Sequence, residues 1–218
     1  MQAECLLCGA AVANQDLCQA CLEHLPYLAP ACCKVCAVPL SQGEICGACL
    51  SKPPAFDRTY AAFSYSFPVD ALIQALKYRG NFAVTPLLAS ALEPIARSAS
   101  PVDCLIPVPL SAARLRKRGF NQALEIARPV ARAIGVALLA TGCSRVLDCA
   151  PQAGLPWKER VKNIRGAFAC EADLSGKKVA LIDDVMTTGA TLDELAKVVR
   201  RKGAVEISVW VAARTLPP

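Results

Sequence analysis

Two rhythms of apolar residues alternate along the chain beyond residue 57. Short runs rich in β-branched and aromatic residues give way to longer stretches in which apolar positions recur every three or four residues. The run RTYAAFSYSF, Arg58 to Phe67, has the aromatic and small residues of a strand. In VDALIQALKYRG, Val69, Leu72, Ile73 and Leu76 fall at helical spacing and Gly80 marks the stop. A second helix is predicted from Val84 to Ala96, with Pro94 near its end. After Pro101, VDCLIPVP reads as a buried strand and FNQALEIARPVARAIG as a helix closed by Gly135, which Pro129 is expected to kink. VALLATGCSRVL reads as a strand or two, KKVALIDDV as a buried strand, ATLDELAKVVRRKG as a helix and AVEISVWVAAR as another buried strand. The predicted fold class is therefore α/β, a mostly parallel sheet covered by helices on both faces. Ligands in such folds sit at the carboxyl ends of the strands.

The first 52 residues follow neither rhythm. Nine of the thirteen cysteines fall within the first 49 residues. CLLCGAAVANQDLCQACL at Cys5 and CKVCAVPLSQGEICGACL at Cys33 share the spacing C-x2-C-x9-C-x2-C, and each ends in ACL. This is an internal duplication of a small unit. Each C-x2-C turn presents two thiolates to one point, and two such turns complete a tetrahedral sulfur cage for zinc. Units this short bury too little apolar surface to fold alone, so two structural zinc ions would supply the folding energy. Tandem ribbons would use Cys5, Cys8, Cys18 and Cys21 for one ion and Cys33, Cys36, Cys46 and Cys49 for the other; a cross-braced arrangement would interleave the pairs. The bland alternative is a set of disulfides or buried thiols. Cys32 corresponds to Glu4 in the first copy and is left out, and His24 is expected on the surface because the cages are already full.

Composition refines this division. SKPPAF, Ser51 to Phe56, reads as a linker. It separates a double zinc ribbon at 1–52 from an α/β domain at 53–218. The net charge of +6 is uneven. Lys34 and Lys52 stand against Glu4, Asp16, Glu23 and Glu44 in residues 1–52, a balance of −2, so the remainder carries +8. That excess suits an anionic ligand such as phosphate or nucleic acid. Hydrophobic residues make up 54% of the chain, but much of this is Ala, Val and Leu. No window reaches the roughly 18 uncharged apolar residues of a membrane span. MQAECLLCGA lacks the basic start and apolar run of a secretory signal, so a cytoplasmic location is expected.

VALIDDVMTTGATL, Val179 to Leu192, sets Asp183 and Asp184 at the carboxyl end of a predicted strand. Thr187, Thr188, Gly189, Ala190 and Thr191 then form the turn into a helix. Free backbone N–H groups and a helix N-terminus aimed at one point hold a phosphate. The threonine hydroxyls add donors, and Gly189 lets the backbone come close. The acids would repel a phosphate, so they suit sugar hydroxyls, directly or through Mg2+. The implied ligand is a ribose with a 5-phosphate. A receiver-domain pocket or a surface turn also carries paired acids, but neither explains the hydroxyl-and-glycine loop.

This stretch resembles the signature of the type I phosphoribosyltransferases. More narrowly, LIPVPLSAARLRKRGFNQALEIA, with PVPL, Arg114 and RGFNQ at Arg118 to Gln122, is similar to the ComF (competence protein F) family and its GntX-type relatives. LKYRG at Leu76 to Gly80 and QAGLPWKERVKNIRGAF at Gln152 to Phe168 fit the same pattern, so the likeness covers essentially the whole chain. Members combine a cysteine-rich zinc module with a phosphoribosyltransferase domain. The resemblance implies phosphoribosyl pyrophosphate (PRPP) with Mg2+ at Asp183, Asp184 and Thr187 to Thr191. It implies a pyrophosphate loop with Leu110 and Ser111 at its tip, and Arg114 and Arg118 facing the diphosphate. It also implies a mobile flap carrying Gln152, Lys158, Arg160 and Arg165 that closes to exclude water. Taken alone, RLRKR is a solvated helix face and 152–165 a basic surface helix.

In a working transferase the acids, as the catalytic pair, would orient the sugar as pyrophosphate leaves, while no feature names the acceptor or a base for it. The family's association with DNA uptake in natural transformation, or with DNA as a nutrient, implies DNA and other DNA-uptake proteins as partners. The second function class is a single-stranded DNA-binding module on a non-catalytic phosphoribosyltransferase fold. Tyr78, Phe82, Phe120 and Trp157 each lie near Arg or Lys, as such a module requires. Cys104, Cys143, Cys149 and Cys170 sit among apolar residues and are expected to be inert buried thiols.

Overall fold

The computed structural model describes residues 3–13, 16–147 and 164–216. The cysteine-rich region holds β1 (Ala3–Glu4) paired antiparallel with β2 (Ala11–Val12), then α1 (Gln19–Glu23) and α2 (Gly47–Ser51). Next come β3 (Arg58–Ser64), α3 (Val69–Arg79), α4 (Val84–Ser98), β4 (Cys104–Pro107), α5 (Ala112–Arg118) and α6 (Gln122–Ile134). The chain continues through β5 (Ala137–Leu138), β6 (Cys143–Arg145), β7 (Phe168–Cys170), β8 (Lys178–Met186), α7 (Ala190–Arg201) and β9 (Glu206–Arg214). Among the described residues no helix is long and apolar enough to cross a membrane.

The periodic segments fold as their patterns predict, with three differences of detail. α4 runs two residues past its expected end, to Ser98, with Pro94 inside its last turns. VALLATGCSRVL divides into β5, which joins the central sheet, and β6, which leaves it to pair antiparallel with β7. The three residues of β7, Phe168 to Cys170, are too few for a period to show. Glycines close α3 and α6 as expected: Gly80 and Gly135 adopt the left-handed conformation at φ 63° and 72°.

The central sheet has the order β3-β9-β8-β4-β5 with every neighbouring pair parallel. From β4 the chain steps outward to β5, then returns to β8 on the other side of β4 and proceeds to β9. The direction of winding thus reverses between β4 and β8, and the loops leaving their carboxyl ends part there to form a crevice. Strand alternation divides the core into two clusters. Ala180, Ile182 and Trp210 lie with Leu72 and Ile73 of α3, Leu88 of α4 and Ile126 of α6. Val179, Leu181, Val209 and Val211 lie with Leu192, Leu195 and Val199 of α7.

The cysteine-rich region touches both clusters. Leu17 and Leu25 are buried in the first, while Val35 and Cys36 rest against the second. Residues 26–28 also cover the free edge of β3. Tyr27 bridges antiparallel to Phe63, the Leu28 N–H donates to Ala62 O at 3.0 Å, and the Ser64 N–H donates to Pro26 O at 2.8 Å. The stretch read as a linker is tethered by Ala55, whose N–H donates to Asp193 at 2.7 Å, and by the buried ring of Phe56.

Candidate functional site

The eight cysteines gather as two separate cages, Cys5/Cys8/Cys18/Cys21 and Cys33/Cys36/Cys46/Cys49. The arrangement is tandem. Within each cage all four sulfurs lie within 4.8 Å of one another. Cys8 and Cys18 are 3.7 Å apart and Cys36 and Cys46 are 3.6 Å apart, while a tetrahedral site with Zn–S near 2.3 Å sets sulfurs about 3.8 Å apart. The donor sets therefore fit two structural zinc ions, and four thiolates per ion leave no open position for catalysis. Burial tends to raise the Cys33 thiol, but N–H groups of Cys46, Cys36 and Val35 outweigh it and bring the value down to about 7. His24 is exposed, outside the cage, with Nδ1 2.7 Å from Ala20 O.

The acids of β8 meet different neighbours, although their carboxyls stay within hydrogen-bonding reach of each other. Successive strand residues project to opposite faces. Asp183 lines a pocket with Val185, Met186, Thr187, Thr188, Gly189, Ala190, Thr191 and Leu192. Asp184 instead lies buried, ion-paired with Lys77 of α3, and its Oδ1 accepts from Gln122 Nε2 of α6 at 3.2 Å. Burial pushes the Asp183 carboxyl well above its usual range, reinforced by the neighbouring Asp184 charge. Burial opposes ionisation of Asp184 too, but the Lys77 ammonium outweighs it and holds that carboxyl low. One acid therefore faces a ligand space and, in the unliganded chain, keeps its proton to higher pH than an ordinary carboxyl, and the other is a fixed anion inside the fold.

The hydroxyl-bearing turn has the conformation its glycine suggests. Gly189 caps α7 at φ 79°, a left-handed conformation that favours glycine, and a Cβ there would also have to push aside the Met186 methyl 2.7 Å away. Thr187 and Thr188 are exposed, Thr191 is half-buried, and the first turn of the twelve-residue α7 lines the same pocket, its Ala190 N–H donating to Thr188 Oγ1 at 3.4 Å. Across the crevice the loop after β4 is pinned by the Val108 N–H donating to Ile182 O at 2.8 Å and by Asn121 Nδ2 donating to Val108 O at 3.0 Å. Leu110 is half-buried. Ser111 is buried and caps α5, its hydroxyl accepting from the Arg114 N–H. Arg114 is half-buried on α5. Arg118 donates to Gln122 Oε1 and lies 5.7 Å over the Tyr78 ring. RGFNQ and LKYRG thus converge on Asp184, with Arg118, Gln122 and Lys77 in one polar chain.

Gln152, Lys158, Arg160, Cys149 and Trp157 lie outside the described residues, and Arg165 is exposed. Cys104, Cys143 and Cys170 are buried, as expected of inert thiols. Lys77 and Gln122 carry the polar architecture under the turn, although sequence reading singled out neither. Their signal was present: each lies inside a quoted motif, on a helix whose neighbouring positions are apolar. Arg214 gave less warning, because a cation closing an apolar strand reads as a solvated end; its side chain is buried.

The Double zinc ribbon domain family matches residues 2–50. Competence protein F of Haemophilus influenzae is 32% identical over 212 residues, covering 93% of this chain and 92% of that protein. DNA utilization protein YhgH of Salmonella typhi is 31% identical over 220 residues, 97% of each. Among solved structures, the purine phosphoribosyltransferase from Pyrococcus horikoshii Ot3 is 17% identical with a TM-score of 0.35, over 72% of this chain and 87% of that one. A likeness at that score adds no weight to the sheet order seen directly.

Proposed function

The chain belongs to the family of competence protein F and DNA utilization protein YhgH, and from that premise we propose that it binds PRPP with Mg2+ in the service of DNA uptake or the use of exogenous DNA. The observation that carries this reading is the pocket after β8, where one carboxylate, Asp183, faces the same space as Thr187, Thr188 and Thr191 at the start of α7. In this reading the N–H groups of that turn and the three hydroxyls hold the 5-phosphate. Asp183 accepts from the ribose hydroxyls. The turn after β4, with Leu110 and Ser111, and the cations Arg114 and Arg118 face the diphosphate from across the crevice. Mg2+ is held by one or two carboxylates plus substrate phosphates; on binding, the cation would displace the proton that Asp183 holds in the unliganded chain, so that Asp183 supplies such a carboxylate, and the ion offsets pyrophosphate charge. Asp184 takes a different part from the one its place in the motif suggests: it anchors Lys77 and Gln122 and so fixes the floor of the site.

Calorimetry with PRPP and Mg2+ tests the reading. Wild-type chain is expected to bind, and Asp183→Asn to weaken binding about 10- to 100-fold, the loss of a charge-assisted hydrogen bond worth ~1.5–3 kcal/mol. Absence of wild-type binding removes PRPP as ligand, and equal binding by both proteins removes Asp183 from the site.

A second reading, single-stranded DNA binding, is favoured by an exposed aromatic ledge beside the crevice. Tyr78 is 76% exposed with Arg118 over its ring, and Phe82 is 48% exposed against Phe120 at 4.6 Å between centroids. Arg79, Arg116 and Lys117 are exposed nearby in sequence. Aromatic faces among cations suit stacked bases and a phosphate backbone. A salt-titrated gel shift with a single-stranded oligonucleotide should show binding that weakens in Tyr78→Ala and Phe82→Ala, and no shift at low salt ends this reading.

A further inference from the structure

We propose that Arg214 is a positioning residue through which the second ribbon holds the turn after β8 in its anion-receiving shape; the word anion-receiving rests on the PRPP reading, while the coupling itself does not. Arg214 ends β9 and stands in register with Met186, the last residue of β8. Its side chain is buried, and a buried guanidinium must satisfy its donors. Its Nε and one terminal nitrogen do so on backbone carbonyls from three places. Nε donates to Cys36 O at 2.8 Å, in the C-x2-C knuckle of the second ribbon. One terminal nitrogen donates to Met186 O at 3.1 Å and also to Thr187 O, the residues that open the turn, and to Thr215 O. Among the described residues no carboxylate pairs with it. The counter-charge it needs is at hand in the ribbon: a cage of four thiolates around Zn2+ carries a net charge of about −2, and Cys36 belongs to that cage.

A second tether runs in parallel. The Thr59 N–H donates to Lys34 O at 3.0 Å and its hydroxyl donates to Val35 O at 2.6 Å, while the same oxygen lies 3.9 Å from Met186 Sδ. Three consecutive knuckle carbonyls, those of Lys34, Val35 and Cys36, are thus taken up by Thr59 and Arg214, and both of those residues touch Met186. Met186 in turn fills the space beside Gly189, the cap of α7. Each knuckle has the same internal bond, Leu6 N–H to Asp16 O in the first ribbon and Lys34 N–H to Glu44 O in the second; in the second the bonds from Thr59 and Arg214 come on top of it. An opened second ribbon leaves Arg214 free to turn away, and the carbonyls of Met186 and Thr187 lose the donor that sets their direction.

Amide hydrogen exchange on the full chain, read by mass spectrometry, tests the coupling without any ligand. In Arg214→Met the peptide from Met186 to Leu195, which includes the Asp193 N–H held by Gly189 O, should exchange about tenfold faster, with β4 peptides unchanged. Cys46→Ser should do the same and Cys18→Ser should not. Arg214→Lys, which keeps the charge and one donor, should recover part of the protection. Should Arg214→Met fail to fold, Thr59→Val gives a smaller acceleration of the same peptide. Unchanged exchange there in Arg214→Met, or in Cys46→Ser with the second ribbon opened, overturns the inference. PRPP with Mg2+ should bind about tenfold more weakly to Arg214→Met; a wild type that binds no PRPP sinks the phosphate reading and leaves the exchange result to decide the coupling.

Discussion

The two ribbons have the same ligand spacing and the same cage dimensions, but they are joined to the α/β body by different forces. The first is held by apolar burial and by strand-like pairing. Leu17 and Leu25 are 1% and 5% exposed in the cluster shared with α3, α4 and α6, and residues 26–28 line the edge of β3. The second is held by directed hydrogen bonds from Thr59 and Arg214 to its knuckle, on the face that carries α7 and the pocket. Duplication copies the metal site, whereas the use made of each copy depends on the surface it meets. Apolar contact tolerates sliding; a guanidinium fork fixes direction.

The largest effect that can test this contrast is metal loss. Structural zinc contributes on the order of 10–16 kcal/mol in isolated zinc-finger peptides. Two equivalents of zinc per chain are expected by a colorimetric release assay, falling to one in Cys18→Ser and to one in Cys46→Ser, with only the second disturbing α7. A release of fewer than two equivalents from the wild type breaks the symmetry of the cages. The next effect separates the two modes of attachment. Leu25→Ala should lower urea stability by ~2–5 kcal/mol, as a buried cavity does. Thr59→Val should lower it by ~1–3 kcal/mol, since the Val35 carbonyl loses its hydroxyl donor. Equal costs, or the reverse order, would blur the distinction between an apolar and a directional joint.

The smallest effect carries the same two-sidedness into the acids. Asp183 faces the pocket at the start of α7, and Asp184 faces α3 and α6. Asp183 has a native value raised above its ordinary 3.8. Its contribution to stability is full below that ordinary value and is lost as pH rises through the native one, because the unfolded chain releases the proton first. Asp184 has a lowered value, so its contribution is present above 3.8 and is lost as pH falls through the native one. Stability measured by urea across pH should fall on the alkaline side of the carboxylate range with a slope of up to about 1.4 kcal/mol per pH unit. Asp183→Asn should remove that slope and keep the acid-side loss. A slope unchanged in that variant would mean that another group sets it.

Much of this architecture was legible in the residues. Helices stopped by Gly80 and Gly135, the apolar runs of β8 and β9, and the duplicated cysteine spacing are local signals, and local chemistry decides them. The position of the turn after β8 was legible for the same reason: Gly189 needs a positive φ, and it follows a strand that carries the buried apolar run Val179 to Ile182. What the residues did not disclose depends on contacts between distant segments. Two adjacent acids read as a pair of one role, yet Asp183 lines the pocket, and the approach of Lys77 and Gln122 from two helices helps to give Asp184 its charge. Arg214 is the sharper case. A terminal cation on a strand is ordinarily solvated, and its burial follows from a ribbon nearly two hundred residues earlier, which no local pattern reports. Cross-bracing of the cysteines was equally open from spacing, and the cages resolve it because each hairpin closes on itself.

The short antiparallel segment along β3 has a consequence beyond holding the first ribbon. An outer strand with unpaired amides is a template on which other chains can add, the usual beginning of fibrillar growth. By occupying that border, Pro26 to Leu28 leave β3 with little to offer a neighbouring molecule. Unfolding of the first ribbon would then be felt as a loss of solubility before any loss of ligand affinity.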